Sequence, residues 1–327
     1  MRVLVTGGAG YIGGVMVEAL LERGHEVVVL DNLSHGYRDN VPAEARLIAS
    51  DLADPAALAA AFAAPVDGVI HMAAYIEVGE SMLQPRKYLD NNLARPWALL
   101  EAMEQAGTRR FVLSSTAAVY GQPERTPIPE AAPTRPVNPY GLGKLMLEQT
   151  LHWHATHRGL RYAALRYFNA AGATTQHGER HQPESHLIPL VLEAAAGERD
   201  AVRLFGDDYD TPDGTCVRDY IHVRDLAEAH LIALAGLDAA APPADLAAAA
   251  FNLGNGEGFS VRQVIAAAER VCGRKIPVRL APRRPGDPAR LVAAADKMRA
   301  AGWRPRQAEL ETIVASAWHW KMARRGI

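Results

Sequence analysis

Short apolar runs alternate along this chain with longer segments in which apolar residues recur every three or four positions. The short runs are typical of buried strands, and longer segments such as Ile12–Arg23 and Pro85–Ala106 are typical of helices that pack on them. Repeated strand–helix units predict a parallel sheet with helices on both faces, a doubly wound α/β fold. Five runs are predicted strands of that sheet: Val3–Thr6, Val27–Leu30, Gly68–His71, Phe111–Ser114 and Tyr162–Arg166.

The pattern changes after about Ala170, where polar and proline-bearing stretches such as Thr174–Glu184 and Phe205–Thr215 separate the helical segments. We predict that residues 1–175 form the large domain, and that residues from roughly 218 to 255 return to it. Residues 176–327 are predicted to form most of a smaller C-terminal α/β domain. Leu237–Ala250, biased toward alanine and proline, is predicted to be a surface loop or a short helix without chemistry.

Composition and charge narrow the classes of partner. The 327 residues are 49% hydrophobic and 22% charged, which is typical of a globular chain with a large core. A formal net charge of -2 gives no broad basic field, so we expect no nucleic-acid and no membrane partner. The two cysteines, Cys216 and Cys272, cannot form a disulfide framework, and no apolar run is long enough for a signal peptide or a membrane span. We therefore expect a cytoplasmic protein.

A glycine-rich turn between the first predicted strand and helix is the strongest cofactor signal. In Thr6–Gly13, the residues Gly7, Gly10 and Gly13 allow a tight turn and let backbone N–H groups approach a pyrophosphate. Asp31 ends the second predicted strand, where its carboxylate would accept hydrogen bonds from an adenosine ribose and repel a 2′-phosphate. Together they predict a Rossmann domain that binds NAD rather than NADP. The alternatives are a purely structural glycine turn and an aspartate that caps a turn.

Other polar residues follow predicted strands at the same edge of the sheet. Asp51 comes after a further predicted strand and would contact the adenine, although a turn aspartate fits its position nearly as well. Ser114 and Thr116 carry hydroxyls where the nicotinamide end of a dinucleotide would lie. Hydroxyls at strand ends also commonly cap turns, so this pair alone leaves both roles open.

Tyr140 and Lys144 carry the strongest catalytic signal. Asn138 can cap a helix that begins with Pro139, and residues four apart then lie on one helix face. A tyrosine with an ordinary pKa of about 10 is a poor base at neutral pH, but a nearby cation favours its phenolate. The pair therefore predicts a proton-transfer site. Solvated helices carry such pairs by chance, so the prediction depends on its surroundings.

The ordered set of motifs resembles the extended short-chain dehydrogenase/reductase family and, within it, the nucleotide-sugar 4-epimerases. The resemblance covers nearly the whole chain, and the order and spacing of the motifs are more specific than any one of them. The matching segments are Val3–Gly13, Asp31–Asn32, Val78–Ser81, Asn91–Asn92, Ser114–Gly121, Tyr140–Lys144, Leu165–Asn169, Val217–Val223, Asn252–Gly254, Ala281–Asp287 and Trp318–Trp320.

The resemblance implies an enzyme that interconverts UDP-glucose and UDP-galactose with tightly bound NAD, through a transient 4-keto sugar. Tyr140, as phenolate, would take the proton of the sugar 4′-hydroxyl while C4 gives a hydride to NAD+. The keto sugar would then rotate and receive the hydride on its other face. Lys144 would hold the nicotinamide ribose and, with the positive nicotinamide, lower the pKa of the tyrosine. Thr116 would bridge the tyrosine and the sugar oxygen.

The resemblance also assigns residues to the two ligands. The expected NAD contacts are Gly7, Gly10, Tyr11, Ile12, Gly13, Asp31, Asn32, Asp51, Leu52, Ala73, Asn92, Ser114, Tyr140 and Lys144. The expected UDP-sugar contacts are Thr116, Tyr140, Asn169, His186, Arg218, Arg284 and Asp287. The two arginines would pair with the diphosphate, because their planar fork binds two oxygens at once, and Asp287 would bind the uridine ribose. Residues 176–327 would thus form most of the nucleotide-sugar-binding domain.

Several alternative functions remain open. Within the extended family they are a 4-epimerase of UDP-N-acetylhexosamines, UDP-pentoses or UDP-uronates, and a nucleotide-sugar dehydratase or decarboxylase. Leu291 stands where the family controls room for an N-acetyl group, and its intermediate size leaves acceptance of N-acetylated sugars open. A dehydratase would carry an acid just after Thr116, where this chain has Ala117 and Ala118. An alternative of another class is a non-catalytic NAD(H)-sensing regulator, but such proteins commonly lose the tyrosine or the lysine.

Two further expectations concern metals and assembly. No metal is expected, because the imidazoles of His152, His154 and His157 are scattered around their helix rather than placed on one face. The resemblance implies a homodimer, formed by helices around Pro85–Ala106 and Pro139–His157. Arg95-Pro96 replaces the Gly-Thr that is usual after the paired asparagines, which would alter the packing of that helix.

Overall fold

The computed structural model of the chain describes residues 1–238, 241, 243–284 and 287–326, and it contains all five predicted strands. Four of the five are longer than predicted, and further strands follow in the C-terminal part. The strands of the described residues are Arg2–Thr6 (β1), Glu26–Asp31 (β2), Arg46–Ala49 (β3), Gly68–His71 (β4), Arg110–Thr116 (β5), Arg161–Tyr167 (β6), Asn169–Ala171 (β7), Val202–Phe205 (β8), Val217–Arg218 (β9), Tyr220–His222 (β10), Ala250–Leu253 (β11), Phe259–Ser260 (β12), Val278–Ala281 (β13) and Arg290–Leu291 (β14).

Helices separate most of these strands, as the sequence predicts. The α-helices of the described residues are Tyr11–Glu22 (α1), Pro55–Ala61 (α2), Val78–Leu83 (α3), Pro85–Leu89 (α4), Arg95–Ala106 (α5), Pro139–Arg158 (α6), Leu187–Ala195 (α7), Val223–Gly236 (α8), Leu246–Ala249 (α9), Val261–Cys272 (α10), Asp296–Ala300 (α11) and Leu310–Arg324 (α12). A short helix, α9, lies in the predicted connection Leu237–Ala250, part of which is outside the described residues. None of the described helices combines the length and apolarity that crossing a membrane requires.

Seven strands form one parallel sheet in the order β11-β6-β5-β4-β1-β2-β3. The chain winds outward from β1 in one direction through β2 and β3, and in the other through β4, β5 and β6. The switch point therefore lies between β1 and β4, and doubly wound folds bind their ligands in the crevice at the carboxyl ends of such strands. The predicted doubly wound α/β class is confirmed.

Helices cover both faces of this sheet. On one face, α1 and α8 pack against the sheet, and Leu20 meets alternate strand residues such as Val5. On the other face, α2, α5 and α6 cover residues such as Leu4, and Leu147 belongs to that core. Successive strand residues point to opposite faces, so a strand buried on both faces needs the continuous apolar run that the sequence shows.

The C-terminal part of the chain has an apolar core of its own. Val191 of α7, Val264 of α10 and Ile313 of α12 are fully buried in it. Small sheets, β10-β7, β12-β9-β14 and β13-β8, lie outside the large sheet. Helix α8 packs on the large sheet and β11 forms its edge strand, in keeping with a return of the chain near residues 218–255. The domain boundaries themselves stay a prediction.

The predicted helix Pro85–Ala106 is interrupted in its middle. Helix α4 ends at Leu89, a π-helical segment spans Asp90–Ala94, and α5 begins at Arg95. Pro96 has no N–H to donate and its ring crowds the carbonyl of Asn92, four residues earlier, so a regular α-helix cannot continue there. The change in packing expected from Arg95-Pro96 in place of Gly-Thr stays a prediction.

Candidate active site

The first strand–helix turn depends on two glycines. Gly7 has a φ of +75°, and a Cβ there would lie 2.5 Å from the backbone nitrogen of Ala73. A Cβ on Gly13 would lie 2.0 Å from the carbonyl oxygen of Gly7, so the turn and α1 pack backbone against backbone. Gly10 precedes α1 and is less crowded, because a Cβ there would lie 3.3 Å from the carbonyl oxygen of Gly7. The turn therefore brings the N-terminus of α1 to the carboxyl edge of the sheet, an arrangement that fits a dinucleotide pyrophosphate.

The first two residues of α1 have different surroundings. Ile12 is half-buried and packs against the core of the large sheet. Tyr11 is buried, and its hydroxyl donates a short hydrogen bond to the carbonyl oxygen of Gly172, just beyond β7. Burial raises the pKa of this phenol, and the negative charges of Glu179 and Glu184 add to the effect. The side chain of Tyr11 thus joins α1 to the segment after β7, and NAD contacts of both residues stay a prediction.

Asp31, at the end of β2, holds the glycine turn in place. Its Oδ2 accepts a hydrogen bond from the N–H of Ala9 at 3.0 Å, and its Oδ1 accepts one from the N–H of Leu33 at 2.8 Å. Burial raises the pKa of the carboxyl, and the two N–H groups act in the opposite direction. Asp31 therefore caps the turn, which was one of the two interpretations of its sequence position. Its carboxylate lies beside the turn, and a contact with the adenosine ribose stays a prediction.

Asp51 is the centre of a polar cluster beyond β2 and β3. Its Oδ2 accepts a hydrogen bond from Asn32 Nδ2 at 2.8 Å and forms a short ion pair with Arg95. Leu52, next in the chain, is buried. The predicted adenine-side residues Asn32 and Asp51 are thus direct neighbours. The sequence analysis noted Arg95 only for its effect on the helix and missed its pairing with Asp51.

Asn92, in the π-helical segment, positions the loop after β4. Its Oδ1 accepts a hydrogen bond from the N–H of Tyr75 and its Nδ2 donates to the carbonyl oxygen of Tyr75, both at 2.9 Å. The same loop contains Ala73, whose backbone packs against Gly7. The buried amide of Asn92 therefore orients the loop that supports the glycine turn, and its direct contact with NAD stays a prediction.

Helix α6 begins where the sequence predicts. The side-chain oxygen of Asn138 accepts a hydrogen bond from the N–H of Gly141 at 2.8 Å, and Pro139 occupies the first turn. A Cβ on Gly141 would lie 2.6 Å from the carbonyl oxygen of Ala118, whereas a Cβ on Gly143 would meet nothing closer than 3.5 Å. Close packing of the helix against the turn after β5 therefore explains Gly141, but not Gly143.

Thr116, Tyr140 and Lys144 come together at the carboxyl end of β5. The hydroxyl of Thr116 lies near the phenol of Tyr140 and acts to lower its pKa. The ammonium of Lys144 is buried and donates to the carbonyl oxygen of Ser114 at 2.8 Å. Thr116 also caps the short turn that follows β5, accepting from the N–H of Ala118 at 3.1 Å. The turn-capping role considered for the strand-end hydroxyl is therefore present, and its contact with a ligand stays a prediction.

Burial dominates the electrostatics of this group. It raises the pKa of Tyr140, and the hydroxyl of Thr116 acts in the opposite direction. It also lowers the pKa of Lys144 to about 8, with the charge of Glu148 opposing it. The expectation that Lys144 lowers the pKa of the tyrosine is therefore not met by the protein's own groups. The ammonium is directed at the Ser114 carbonyl, and desolvation of the phenol outweighs the favourable effect of the Thr116 hydroxyl.

Glu148, one turn beyond Lys144 on α6, anchors the catalytic helix. Its fully buried carboxylate binds the guanidinium of Arg166 through two contacts, Nη2 to Oε2 at 2.6 Å and Nε to Oε1 at 3.1 Å. It also accepts from Ser115 Oγ at 2.5 Å, and Arg166 donates to the hydroxyl of Tyr120 at 2.9 Å. The sequence analysis missed this network, although Glu148 continues the four-residue spacing of the catalytic pair.

The predicted nucleotide residues lie at one edge of the C-terminal part. Arg218 Nη2 is 3.2 Å from Asp287 Oδ1, and Arg218 Nη1 donates to the carbonyl oxygen of Pro288 at 2.9 Å. Arg284 is exposed, with its guanidinium 4.0 Å from the centroid of the Phe205 ring, and its carbonyl oxygen accepts from the N–H of Asp287 at 3.3 Å. Arg218, Arg284 and Asp287 are therefore close enough to serve one ligand.

Asn169 and Leu291 link this edge to the catalytic residues. Asn169 begins β7, with one residue between it and the end of β6, and its N–H donates to the carbonyl oxygen of Asp219 at 2.9 Å. Leu291 pairs with Arg218 between β14 and β9, and its half-buried side chain packs against an apolar cluster that contains Ala117. The residue expected to control room for an N-acetyl group thus contacts both the nucleotide edge and the turn after Thr116.

His186 belongs to a compact cluster rather than standing alone. Its Nδ1 lies 2.6 Å from Glu179 Oε1 and 3.0 Å from Glu184 Oε1, and His181 Nδ1 lies 3.0 Å from Glu179 Oε1. Burial acts to lower the pKa of His186, but the two carboxylates raise it overall. The sequence analysis considered His186 only and missed the other three residues, although their spacing, Glu-x-His-x-x-Glu-x-His, was visible.

Comparisons with known proteins agree with the motifs. A family model described as "NAD dependent epimerase/dehydratase family" matches residues 3–254. The UDP-glucose 4-epimerase of Streptomyces lividans is 52% identical over 322 residues, which are 98% of this chain and 95% of that protein.

Two solved structures share the fold over their whole length. The UDP-glucose 4-epimerase from Brucella ovis in complex with NAD has a TM-score of 0.93 and 42% identity, covering 98% of each chain. The UDP-glucose 4-epimerase from Bifidobacterium longum in complex with NAD+ and UDP has a TM-score of 0.91 and 38% identity, covering 99% of each chain. The family resemblance of the sequence is confirmed. The chain belongs to the NAD dependent epimerase/dehydratase family.

Proposed function

We propose that this chain catalyses the reversible epimerisation of a UDP-hexose at C4, between UDP-glucose and UDP-galactose, with tightly held NAD. The observation that carries the proposal is the meeting of Thr116, Tyr140 and Lys144 at the carboxyl end of β5. Similar proteins support it, because they are named for this reaction and one of them holds NAD+ and UDP together.

Tyr140 handles the proton of the reaction. Its phenolate oxygen takes the proton of the sugar 4-hydroxyl, and the same oxygen returns it after the 4-keto sugar has presented its other face. Thr116, whose hydroxyl lies near the phenol, orients it and contacts the same sugar oxygen. Because burial raises the pKa of Tyr140, the phenolate needs positive charge close by, and Lys144 is the cation one turn away.

NAD, when bound, supplies the hydride acceptor and donor for C4, so the reaction has no net redox change. Gly7, Gly10 and Gly13 leave room for its pyrophosphate at the N-terminus of α1, where backbone N–H groups favour an anion. Asp31 lies where it can accept from the adenosine ribose, and Lys144 where it can bind the nicotinamide ribose. The other residues expected to contact NAD from the sequence are proposed in the same roles.

The nucleotide part of the substrate binds at the edge formed by Arg218, Arg284 and Asp287. The two guanidinium groups neutralise the diphosphate, and Asp287 accepts from the uridine ribose. The existing contact between Arg218 and Asp287 holds both side chains near the ligand. Asn169 and His186 are proposed to contact the sugar-phosphate part.

A product analysis tests this function directly. Purified protein is denatured and the released dinucleotide identified, and a second portion is incubated with UDP-glucose, then with UDP-galactose. We expect the released dinucleotide to be NAD. NMR should show that either sugar is converted into the same equilibrium mixture. Protein that carries NAD but produces no interconversion of any UDP-sugar would contradict the proposal. A 4-keto-6-deoxy or decarboxylated product would favour the dehydratase or decarboxylase alternative, although Ala117 and Ala118 supply no acid after Thr116.

A homodimer is proposed from apolar side chains left exposed on neighbouring helices. Trp97 of α5 is 44% exposed, and Leu142 and Trp153 of α6 are 40% and 49% exposed. Large apolar groups in solvent on adjacent helices are typical of an association surface. Light scattering is expected to give twice the chain mass, and Trp153→Glu is expected to shift the protein toward the monomer. A wild-type monomer at micromolar concentration would contradict this proposal.

A cytoplasmic location is proposed from the state of the cysteines. Cys216 is a buried free thiol and Cys272 a half-buried one, and neither is in a disulfide. Such thiols suit a reducing compartment. Fractionation of cells that express the untagged chain tests the location, and recovery outside the cytoplasmic fraction would contradict it.

A further inference from the structure

We infer that Glu179, His181, Glu184 and His186 form a binding site for one divalent first-row metal ion, with Zn2+ as the preferred ion. The four residues lie within one short segment that leads into α7, and their ligand atoms all lie within 4.8 Å of one another. The ion would take Nδ1 of His186, the atom that faces both carboxylates, and leave Nε2 of that ring for the contact proposed with the sugar-phosphate part. The proton transfer proposed for Tyr140 does not use this ion, so the inference goes beyond the proposed function and is tested without turnover.

The separations of the ligand atoms suit a small ion. A tetrahedral zinc site with bonds of about 2.0–2.1 Å places its ligand atoms roughly 3.3–3.5 Å apart. In this cluster the closest contacts run from 2.6 Å, between His186 Nδ1 and Glu179 Oε1, to 3.0 Å, and all four ligand atoms lie within 4.8 Å of one another. Side-chain movements of about 1 Å would therefore open the hydrogen-bonded set into tetrahedral coordination.

Among the residues that the structure describes, the two carboxylates of the cluster lack a permanent positive partner, which a metal cation would supply. The side chains of Glu179 and Glu184 are only 8% and 7% exposed. Over the described ranges of the chain, their ion-pair partners are the two imidazoles alone, because the neighbouring Arg180 binds Asp39 instead. Two nearly buried carboxylates without a lysine or arginine partner lack fixed positive charge. One divalent ion would neutralise both and leave the imidazoles as neutral ligands.

Supporting contacts hold the ligands, and a cavity gives access to them. Glu184 Oε1 accepts hydrogen bonds from the N–H groups of Ser185 at 2.7 Å and His186 at 2.8 Å, which fixes its direction. The ring of His181 packs edge-on against Tyr11, with centroids 6.2 Å apart. Metal sites depend on such outer contacts. A cavity of about 580 Å³, lined in part by Glu179, His181 and Glu184, offers the entry path.

The donor set favours zinc over the common hard cations. Two imidazole nitrogens and two carboxylate oxygens suit zinc and other first-row ions, whereas calcium and magnesium prefer six or more oxygen ligands. Four protein ligands close a tetrahedral site, which is typical of a structural rather than a catalytic zinc. The ion would hold the segment before α7, which Arg180 and His177 already attach to the first domain through Asp39 and Glu18.

Metal titration of the full, tag-free chain tests the site. Protein treated with a chelator and dialysed is titrated with Zn2+ by calorimetry and with Co2+ by visible absorption. We expect one ion per chain and a cobalt spectrum with the intensity of tetrahedral coordination. Glu179→Gln and His181→Ala are each expected to weaken Zn2+ binding by at least about tenfold. Glu193→Gln is the matched control, because Glu193 lines the same cavity but pairs with Arg199, and it should bind as the wild type does.

Thermal unfolding gives a second readout. Added Zn2+ should raise the melting temperature of the chelator-treated wild type and of Glu193→Gln, but not of Glu179→Gln, because an ion that binds the folded chain stabilises it. Glu179→Gln keeps the size of the side chain, so it decides the question if His181→Ala fails to fold. The inference is wrong if the wild type binds no stoichiometric ion, or if both cluster variants bind like the wild type. These binding and unfolding results do not depend on epimerase activity, so a failure of the proposed function and a failure of this inference can be told apart.

Discussion

The catalytic corner and the nucleotide edge of this protein are assembled in opposite ways. The catalytic corner consists of Thr116, Tyr140 and Lys144, and the nucleotide edge consists of Arg218, Arg284 and Asp287. The corner stands on a capped helix and an inner strand of the large sheet, and its side chains are buried or half-buried, with Lys144 only 2% exposed. The edge is built from loops and two-residue strands, and Arg284 is exposed. Substitutions in the corner should therefore lower mainly kcat, and substitutions in the edge should mainly raise KM.

The largest effect is expected for Tyr140→Phe in the catalytic corner. The change keeps the ring but removes the oxygen that is proposed to take the proton. General acid–base groups contribute about 10²–10⁴-fold, so we expect kcat for UDP-glucose to fall by roughly 10³-fold. NAD content after purification and binding of UDP should stay unchanged, which calorimetry and analysis of the released dinucleotide check. Activity within a factor of about ten of the wild type would exclude Tyr140 as the proton acceptor.

Glu148→Gln tests the support beneath the catalytic corner. The change leaves the guanidinium of Arg166 buried without its counter-charge, and breaking a buried pair in this way costs about 3–5 kcal/mol. Urea unfolding should show a decrease of that size in the free energy of unfolding. The control is Glu311→Gln, which breaks the exposed pair with Arg270 and should cost no more than about 1 kcal/mol. Equal losses in the two variants would mean that the buried network does not hold the corner.

In the nucleotide edge, Arg284→Ala is expected to change affinity rather than rate. Loss of a charged hydrogen bond to the diphosphate costs about 1.5–3 kcal/mol, so KM for UDP-glucose should rise by about tenfold to a hundredfold at nearly constant kcat. Arg283→Ala is the matched control, because the neighbouring Arg283 pairs with Asp208 and covers the ring of Tyr209. Steady-state kinetics of both variants decide the assignment. An equal rise in KM would show only a loss of general positive charge.

The same contrast explains what the sequence can predict. In the catalytic corner the informative signals are local: a cap at Asn138, a proline after it, and a four-residue spacing from Tyr140 to Lys144. Backbone geometry alone converts such patterns into positions on one helix face, so the helix was correctly predicted. The strands of the large sheet were predicted for the same reason, because burial on both faces demands continuous apolar runs.

Interactions between distant parts of the chain were not predicted. Arg166 pairs with Glu148, and Arg95 with Asp51, through tertiary packing that no local pattern specifies. The sequence also shows the lysine near Tyr140 but not the depth of burial, which raises the pKa of the phenol. The lower pKa expected with the positive nicotinamide bound stays a prediction. In the nucleotide edge, the grouping of Arg218 with Asp287 followed from family resemblance, because an exposed loop carries no periodic signal of its own.

Two glycines of helix α6 test how tightly the helix packs against the turn after β5. Gly141→Ala forces a Cβ against the carbonyl of Ala118, and such overpacking should cost about 1–3 kcal/mol of stability and lower kcat, because the displaced turn follows Thr116. Gly143→Ala meets no close atom and should be neutral or stabilise the fold by up to about 1 kcal/mol. Thermal unfolding and kcat measure the difference. Equal stability of the two variants would contradict the tight contact between helix and turn.

The smallest effect is expected at Leu291, which pairs with Arg218 of the nucleotide edge and packs near the turn that follows Thr116 of the corner. Leu291 should therefore act on the sugar between the reacting carbon and the diphosphate. Leu291→Ala should raise the ratio of kcat/KM for UDP-N-acetylglucosamine over UDP-glucose by about three- to tenfold, and Leu291→Tyr should lower it. The effect stays small because the side chain is only half-buried, and a fully enclosed apolar pocket discriminates more strongly. Leu280→Ala, at a leucine that is 61% exposed on β13, is the control and should leave the ratio unchanged. If Leu291→Ala behaves like this control, the two regions do not meet at Leu291, and room for an N-acetyl group is decided by other residues.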